Sequence, residues 1–158
     1  NLSDVTYIDS NVFFKFNIMS LILKNTVSLS QSSFSDMTNL REVSFIDELI
    51  SDNSRINKIP ANCFANCIKL KKIKIPKFID AIGPRAFSNC INLSVVEFEK
   101  RKSHKNIIVL DKAFNNCINL RKIIIDEKDT IDNAQNSFNN CINVCNKTKS
   151  IIKFSDSE

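Results

Sequence analysis

Glycine is nearly absent from this chain of 158 residues and occurs once, at Gly83. Proteins contain roughly 7% glycine on average, and the loops that bind nucleotide phosphates need several glycines at fixed spacing. A P-loop and a dinucleotide-binding turn are therefore excluded. The chain also has no tryptophan, one tyrosine and one histidine, His104, which leaves a single candidate for histidine-based catalysis.

Long hydrophobic runs are also lacking. No run of 18 or more uncharged apolar residues occurs, although a membrane-spanning helix needs about that length. The most apolar segment, VFFKFNIMSLIL (12–23), is interrupted by Lys15, Asn17 and Ser20. We therefore expect no membrane span. Neither a signal peptide nor a prenylation box can be read at the ends of the chain, and we expect the chain to be part of a longer protein.

Catalytic motifs are missing as well. The sequence contains neither G-x-S-x-G nor H-E-x-x-H, and His104 lies in a charged insertion, EKRKSHKN (99–106). A Cys–His nucleophile pair needs hydrogen-bond reach, and nothing in the sequence brings a cysteine to that insertion. Asp47, Glu48 and Asp52 fall in a second insertion, IDELISDNSR (46–55). We predict that the chain is not an enzyme, unless a metal or a substrate binds to these insertions.

The charge of the chain is moderately basic, with a formal net charge of +5. One cluster, formed by Lys100, Arg101, Lys102 and Lys105, could contact phosphate groups. Single-stranded nucleic acid also needs exposed aromatic rings for stacking, whereas the phenylalanines here are periodic and are predicted to be core residues. We therefore expect no nucleic acid as a partner, and an acidic partner or a glycan is the better alternative for this cluster.

What the sequence does contain is a repeat. The phrases SFSDMTNLREVSF (33–45), CFANCIKLKKIKI (63–75), AFSNCINLSVVEF (86–98) and AFNNCINLRKIII (113–125) are close copies, and SFNNCINVCNKTK (137–149) is a weaker one. Their anchors are Phe34, Phe64, Phe87, Phe114 and Phe138, which are separated by 30, 23, 27 and 24 residues. Periods of this length are typical of a solenoid.

Each repeat carries apolar residues 3, 6, 9 and 11 positions after its anchor; for Phe87 these are Cys90, Leu93, Val96 and Phe98. The steps of three predict a helical or 3₁₀ turn, and the closing step of two predicts a short strand. A unit of this size cannot close its own apolar face, so neighbouring units must stack and share one core.

A degenerate first repeat is indicated by Phe13. Phe16, Met19 and Ile22 follow it at the expected spacing, but Leu21 and Leu23 could replace Ile22 as the inward-facing pair. With this unit the chain is predicted to be one solenoid, residues 1–158, of about six repeats. The strand of the last repeat is less regular, because Lys147 and Lys149 stand where the other repeats have apolar residues.

Six cysteines raise the possibility of a metal site or of disulfides. Four of them share the position three residues after an anchor, namely Cys67, Cys90, Cys117 and Cys141. Stacked coils would place them in one row at roughly 5 Å spacing, where a free cysteine packs as a small apolar residue. Zinc sites use pairs such as C-x₂-C, whereas this chain has C-x₃-C, at Cys63/Cys67 and Cys141/Cys145. We predict no metal and no cofactor; disulfides between neighbouring row positions stay open.

The segment LKKIKIPKFIDAIGPRAFSNCINL (70–93) resembles the repeat of BspA-like leucine-rich-repeat proteins, and the similarity is specific over residues 56–125. The resemblance implies an α/β fold: a curved, right-handed leucine-rich-repeat solenoid with parallel strands on its concave face and short helical or 3₁₀ turns and extended segments elsewhere. It also implies a role in adhesion and protein binding, on a cell surface or in a secreted protein, with a protein or another host or cell-surface ligand as the partner.

The outward-facing positions of the predicted strands are the candidate binding residues. They are 8 and 10 positions after each anchor, and in a solenoid such positions form the extended binding surface. At the first position stand Glu42, Lys72, Val95 and Lys122, and at the second Ser44, Lys74, Glu97 and Ile124. An apolar centre inside a charged rim favours a protein partner. The alternative is a structural repeat segment that spaces or presents other domains of a longer chain.

Overall fold

The computed structural model describes residues 5–14, 16–24, 28–46, 56–102, 106–133, 136–142 and 152–154. In these residues the chain forms short strands whose pairings are all parallel. The result is a parallel-strand β-solenoid of about five turns. We call each repeat a coil and number the coils 1 to 6 by their anchors, which are Phe13, Phe34, Phe64, Phe87, Phe114 and Phe138.

Coils 1 to 5 contribute described strands to two faces. The front strands follow the anchors and are β2 (Ser20–Lys24), β4 (Glu42–Ile46), β6 (Lys72–Ile75), β8 (Val95–Phe98) and β10 (Lys122–Ile124). The back strands precede the anchors, except for the last, and are β1 (Tyr7–Ile8), β3 (Ser28–Leu29), β5 (Lys58–Ile59), β7 (Ala81–Ile82), β9 (Asn106–Val109), β11 (Thr130–Asn133) and β12 (Ile152–Phe154). No helix of the described part of the chain has the length and apolar character to span a membrane.

Among the described strands, pairing is interrupted at one step of the solenoid. On the front, β2 pairs with β4, and β6, β8 and β10 form a separate sheet. On the back, β1 pairs with β3, and β5, β7, β9, β11 and β12 form a separate sheet. Both interruptions lie between coils 2 and 3, where the 46–55 insertion lengthens the repeat.

The predicted helical or 3₁₀ turns, and with them the α/β class, are wrong. No residue that the structure describes lies in a helix. Residues two positions before and after the anchor take positive φ angles, such as 54° at Asn62 and 61° at Asn66. A left-handed residue ends a helical turn, and in coil 3 two of them flank the three residues around Phe64. The remaining positive-φ residues are Asn11, Ser32, Asp36, Arg85, Asn89, Lys112, Asn116 and Asn140.

Main-chain hydrogen bonds give the second reason for the absence of a helix. The N–H groups of Phe64 and Asn66 donate to the carbonyls of Ala86 and Ser88 in the next coil, both at 2.8 Å. The N–H between them, on Ala65, donates within its own coil. A 3₁₀-helix needs successive bonds inside one segment. Here every second donor joins two coils instead, so that the turns extend the ladder between coils.

The anchors form one column of stacked rings through the core. Adjacent ring centroids lie 5.2–5.5 Å apart, with interplanar angles of 3–14°. Phe34, Phe64, Phe87 and Phe114 are completely buried. Apolar burial at this scale is the main favourable contribution to folding, and offset stacking of aromatic rings adds to it.

A ladder of side-chain amides runs beside this column. The amide Nδ2 of Asn66 donates to Oδ1 of Asp36 at 2.7 Å, and that of Asn89 donates to Oδ1 of Asn66 at 2.8 Å. Asn116 and Asn140 continue the same pattern, at 2.9 and 2.6 Å. All five residues have positive φ, which asparagine and aspartate tolerate better than most residues. In coils 2 to 6 the asparagine or aspartate two positions after the anchor therefore both closes a turn and joins neighbouring coils.

In coil 1 the front strand begins one residue closer to the anchor than in coils 2 to 5. Leu21 pairs with Val43 and Leu23 with Phe45 in the ladder of β2 and β4, and both leucines are buried. Ile22 lies between them and is 56% exposed, and Phe16 and Met19 are also exposed. The alternative with Leu21 and Leu23 as the inward-facing pair is thus the correct one.

The single glycine lies where the main chains of two coils approach closely. A Cβ atom on Gly83 would lie 2.7 Å from the main-chain N of Ala61 and 2.7 Å from the carbonyl carbon of Pro60. The Gly83 N–H also donates to the Ile59 carbonyl at 2.7 Å. No side chain fits between these main chains without moving one of them.

Candidate partner-binding surface

The front strands alternate between the core and the solvent. In β6 the side chains of Ile73 and Ile75 are completely buried, whereas Lys72 and Lys74 point outward and are exposed. A period of two puts successive side chains on opposite faces of a sheet. The outward-facing side chains of β4, β6, β8 and β10 therefore share one surface, which we call the front face.

The candidate residues fall into two aligned rows on the front face. Lys72, Val95 and Lys122 are direct neighbours across β6, β8 and β10. Lys74, Glu97 and Ile124 form the parallel row two residues further on. Val95, Glu97 and Ile124 are half-buried, and the three lysines are exposed.

Glu42 and Ser44 are also exposed but belong to the other front sheet. Their ladder partners are Ser20 and Ile22 of β2, and β4 has no ladder to β6. The structure thus brings six of the eight candidates into one sheet and leaves these two across the interruption.

Ion pairs order the charged side chains of the front face. Lys72 Nζ lies 2.7 Å from a carboxylate oxygen of Glu97, and Lys74 Nζ lies 3.0 Å from one of Glu99. The hydrogen bond from Lys72 lowers the pKa of the Glu97 carboxyl. The hydrogen bond to Glu99 raises the pKa of Lys74. Both pairs are solvent-exposed on the lysine side, so each contributes little to stability and leaves the charges available to a partner.

A groove of about 630 Å³ opens on the front face at the step between coils 2 and 3. Its volume lies in the range of roughly 300–1,000 Å³ that is typical of ligand sites. The groove is lined by Arg41, Glu42, Val43, Ser44, Lys69, Lys71, Lys72, Lys74 and Asn92. Five of these residues are basic and one is acidic, so the groove is electropositive.

Arg41 and Lys71, which line this groove, are absent from the eight residues that the sequence predicts for binding. Both stand seven positions after an anchor, one residue before a front strand. The same position is Arg121 in coil 5. A recurring basic residue next to the predicted strand was the signal that could have identified them.

The cysteine row is buried and packed against the main chain. The thiol of Cys67 donates to the carbonyl of Phe34 in the preceding coil at 3.4 Å, and that of Cys90 donates to Phe64 at 3.2 Å. Cys117 and Cys141 bond in the same way to the preceding anchors, at 3.2 and 3.1 Å. The row therefore has a structural role, in which the thiol satisfies a buried carbonyl.

The thiols of Cys67 and Cys90 are unreactive, whereas the hydrogen bond with Cys117 lowers the pKa of the Cys141 thiol. Burial raises the pKa of Cys67 to about 12 and raises that of Cys90 well above its ordinary value. The nucleophile and metal ligand is the thiolate, which these groups do not form at neutral pH. The five described cysteines are free, and no group of three potential ligands that could hold a metal occurs in the described residues. Cys145 lies outside them.

Two of the four residues of the basic cluster at 100–105 form ion pairs. Lys100 pairs with Asp126 at 3.1 Å, and Arg101 pairs with Asp80 at 3.0 Å. The Arg101 side chain is only 4% exposed and also donates to the Ile79 carbonyl. Arg101 thus joins two coils and is not a surface cation. Lys105, His104 and the acidic residues Asp47, Glu48 and Asp52 lie outside the described residues.

Comparison with known proteins identifies the class to which this architecture belongs. Short parallel strands, a buried column of anchors and a repeat of 23–30 residues define a leucine-rich-repeat solenoid. The family model of the BspA type leucine-rich-repeat region matches residues 2–56 and 57–155 with six copies. The chain therefore belongs to the BspA-type leucine-rich-repeat family, and families of such repeats are typically non-catalytic. A search among functionally curated proteins finds no match.

Three solved structures are similar to the chain. A leucine-rich cell surface protein from Faecalibacterium prausnitzii has 27% identity and a TM-score of 0.59, over 76% of this chain and 29% of that one. A leucine-rich-repeat protein from Bacteroides ovatus has 18% identity and a TM-score of 0.70, over 96% and 40%. A leucine-rich-repeat protein from Treponema pallidum has 17% identity and a TM-score of 0.59, over 97% and 81%. The chain thus spans less than half the length of the first two.

Proposed function

We propose that this chain is a non-enzymatic interaction module, on a cell surface or in a secreted protein, that binds a macromolecular partner through its front face. One observation carries the proposal. Lys72, Val95 and Lys122 in one row and Lys74, Glu97 and Ile124 in the next form a continuous outward-facing surface on paired strands. The rigid core fixes these side chains relative to one another, which reduces the entropy lost on binding.

The surface has the composition that protein partners favour. Val95 and Ile124 give an apolar centre, and lysine and glutamate side chains surround it. Interfaces commonly combine an apolar core with a polar rim. The printed description of the Faecalibacterium relative, a leucine-rich cell surface protein, supports the proposed location.

A capture experiment tests the proposal. The chain is immobilised, incubated with surface extracts of candidate partner cells, and compared with the Lys72→Glu/Lys74→Glu/Lys122→Glu variant. We expect the variant to lose the captured protein. A matched pair of single reversals supplies the control: Lys122→Glu on the front and Lys58→Glu, an outward-facing position of β5 on the back. Equal capture by wild type and the triple variant would reject the front face as the binding site.

A structural segment that spaces or presents other domains is the second candidate. Its support is the continuity of the core, in which the column of anchors and the amide ladder run from coil to coil. The greater length of two solved relatives also agrees with a repeat array inside a larger chain. Under this alternative no charge reversal on either face changes capture.

A further inference from the structure

We propose that the electropositive groove between coils 2 and 3 binds an extended acidic segment of a protein partner. This inference rests on the proposed function and adds to it a site and a ligand chemistry. The groove is defined by Arg41, Lys69, Lys71, Lys72 and Lys74 together with Glu42, Val43, Ser44 and Asn92. Arg41 and Lys71 are not among the eight residues that the sequence predicts for partner binding.

The charge of the groove is not balanced by its surroundings. Lys72 and Lys74 are paired with Glu97 and Glu99 on the side of β8, and Lys69 bonds to the neutral amide oxygen of Asn39. Arg41 and Lys71 are exposed and form no ion pair with any residue that the structure describes. Two cations at equivalent positions of adjacent coils therefore line the groove without an ion pair to any described residue, and an anion bound in the groove would be attracted by both.

The groove also coincides with the interruption in strand pairing. β4 and β6 are neighbours in space, but no ladder joins them, whereas β4 pairs with β2 and β6 pairs with β8. The facing edges of β4 and β6 consequently keep main-chain groups that the sheets do not use. Such edges are sites where extended peptides bind, and free main-chain N–H groups are good donors to carboxylates.

The described lining residues favour an acidic peptide over single-stranded nucleic acid. None of them is aromatic, and single-stranded nucleic acids rely on aromatic rings for base stacking. Ser44 and Asn92 instead supply neutral hydrogen-bonding groups beside the cations. A glutamate- or aspartate-rich peptide can make both kinds of contact. Its carboxylates are attracted by the basic side chains, and its main chain can form hydrogen bonds with the strand edges.

Binding of a labelled decaglutamate peptide, measured by fluorescence anisotropy at low salt, tests this inference. We expect saturable binding that weakens as NaCl is raised, because exposed charges are screened. The variant Arg41→Gln/Lys71→Gln should bind about tenfold more weakly, because two exposed ion pairs with the peptide are lost. Each such pair alone accounts for less than a tenfold change in affinity. The variant Arg41→Lys/Lys71→Arg should retain binding, because both charges are kept.

The matched control is Lys58→Gln/Arg85→Gln, which also removes two exposed cations but at positions outside the groove and outside the front face. It should bind the peptide as well as wild type does. An equal loss in Lys58→Gln/Arg85→Gln and Arg41→Gln/Lys71→Gln would show non-specific charge attraction and overturn the inference. Tighter binding of heparin than of decaglutamate would also overturn it, because the groove would then prefer a sulfated glycan.

Failure of this inference is distinguishable from failure of the proposed function. If the captured partner is lost in Lys72→Glu/Lys74→Glu/Lys122→Glu but retained in Arg41→Gln/Lys71→Gln, the front face binds without the two cations on which this inference rests, and the inference is rejected. If neither variant changes capture, the proposed function itself is rejected. Loss of capture in both variants, with unchanged thermal unfolding, supports the groove as part of the interface.

Discussion

Removal of one ring from the phenylalanine column is the most informative test of the fold. Phe87 is completely buried, and its ring centroid lies 5.3 Å from that of Phe64 and 5.2 Å from that of Phe114. The substitution Phe87→Ala removes both contacts in the middle of the solenoid. It leaves the main-chain bonds of coil 4 and the thiol bonds of the cysteine row chemically intact.

The expected loss follows from burial and stacking. Truncation of a buried phenylalanine to alanine typically costs about 3–5 kcal/mol, and each aromatic pair contributes about 0.5–1.5 kcal/mol beyond area burial. With two pairs broken, we expect a decrease of about 5 kcal/mol in the free energy of unfolding. Small domains are stable by only about 5–15 kcal/mol. The variant should therefore lose between about a third and all of a stability of that size.

Urea unfolding followed by far-ultraviolet circular dichroism measures this loss; the chain lacks the tryptophan that fluorescence would use. Phe14→Ala is the matched control, because Phe14 belongs to coil 1 and is 50% exposed. That substitution should cost less than about 1 kcal/mol. Phe87→Leu, which keeps most of the volume but not the stacking, should fall between the two. A loss in Phe87→Ala no larger than that in Phe14→Ala would refute the stacked core.

Three further predictions concern the contacts between coils. Asn89→Gly keeps the left-handed backbone, which is at φ 59°, but removes two rungs of the amide ladder; urea unfolding should show a loss of about 1–3 kcal/mol. Gly83→Ala places a Cβ 2.7 Å from main-chain atoms of the preceding coil, and thermal unfolding should show a destabilisation of about 1–3 kcal/mol. The thiol of Cys67 should make the protein less stable at alkaline pH, because its pKa is raised from 9.0 to about 12 in the folded state. Between those values the unfolded chain has lost a proton that the folded chain retains, so stability falls as pH rises. Cys67→Ser should reduce the slope above pH 9 by about 1.4 kcal/mol per pH unit.

Each of these predictions has an outcome that would contradict it. Wild-type stability in Asn89→Gly would mean that the ladder only accompanies the turns. An unchanged melting temperature in Gly83→Ala would mean that the coils separate there at little cost. Parallel pH profiles for wild type and Cys67→Ser would show that this thiol ionises as readily in the folded chain as in the unfolded one.

The repeat pattern predicted most of the core but not the backbone that carries it. Phe87, Leu93 and Val96 are buried as the spacing indicated, because a fixed apolar period must face a shared core whatever the local conformation is. The same steps of three predict a helical or 3₁₀ turn, and the described residues contain no helix. Spacing alone cannot distinguish a helical turn from two turns separated by left-handed residues, since both return the side chain to the same face.

The candidate surface, like the core, could be predicted from the sequence only in part. The outward-facing position of Lys72, Val95 and Lys122 could be predicted from the period of two along the strands. The ion pair between Lys72 and Glu97 depends on register between coils, and the groove at Arg41 and Lys71 depends on a missing ladder between β4 and β6. Neither follows from one repeat considered by itself.

The sequence by itself determined that this protein is a stack of repeats with phenylalanine, cysteine and leucine facing inward, because burial imposes a period that is visible along the chain. Only the tertiary structure decided what holds one coil to the next. Amide ladders, alternating main-chain bonds and thiol-to-carbonyl bonds join residues more than twenty positions apart. Only the structure also showed where the pairing of coils stops and a groove opens, because that depends on how two neighbouring coils lie against each other and not on either sequence alone.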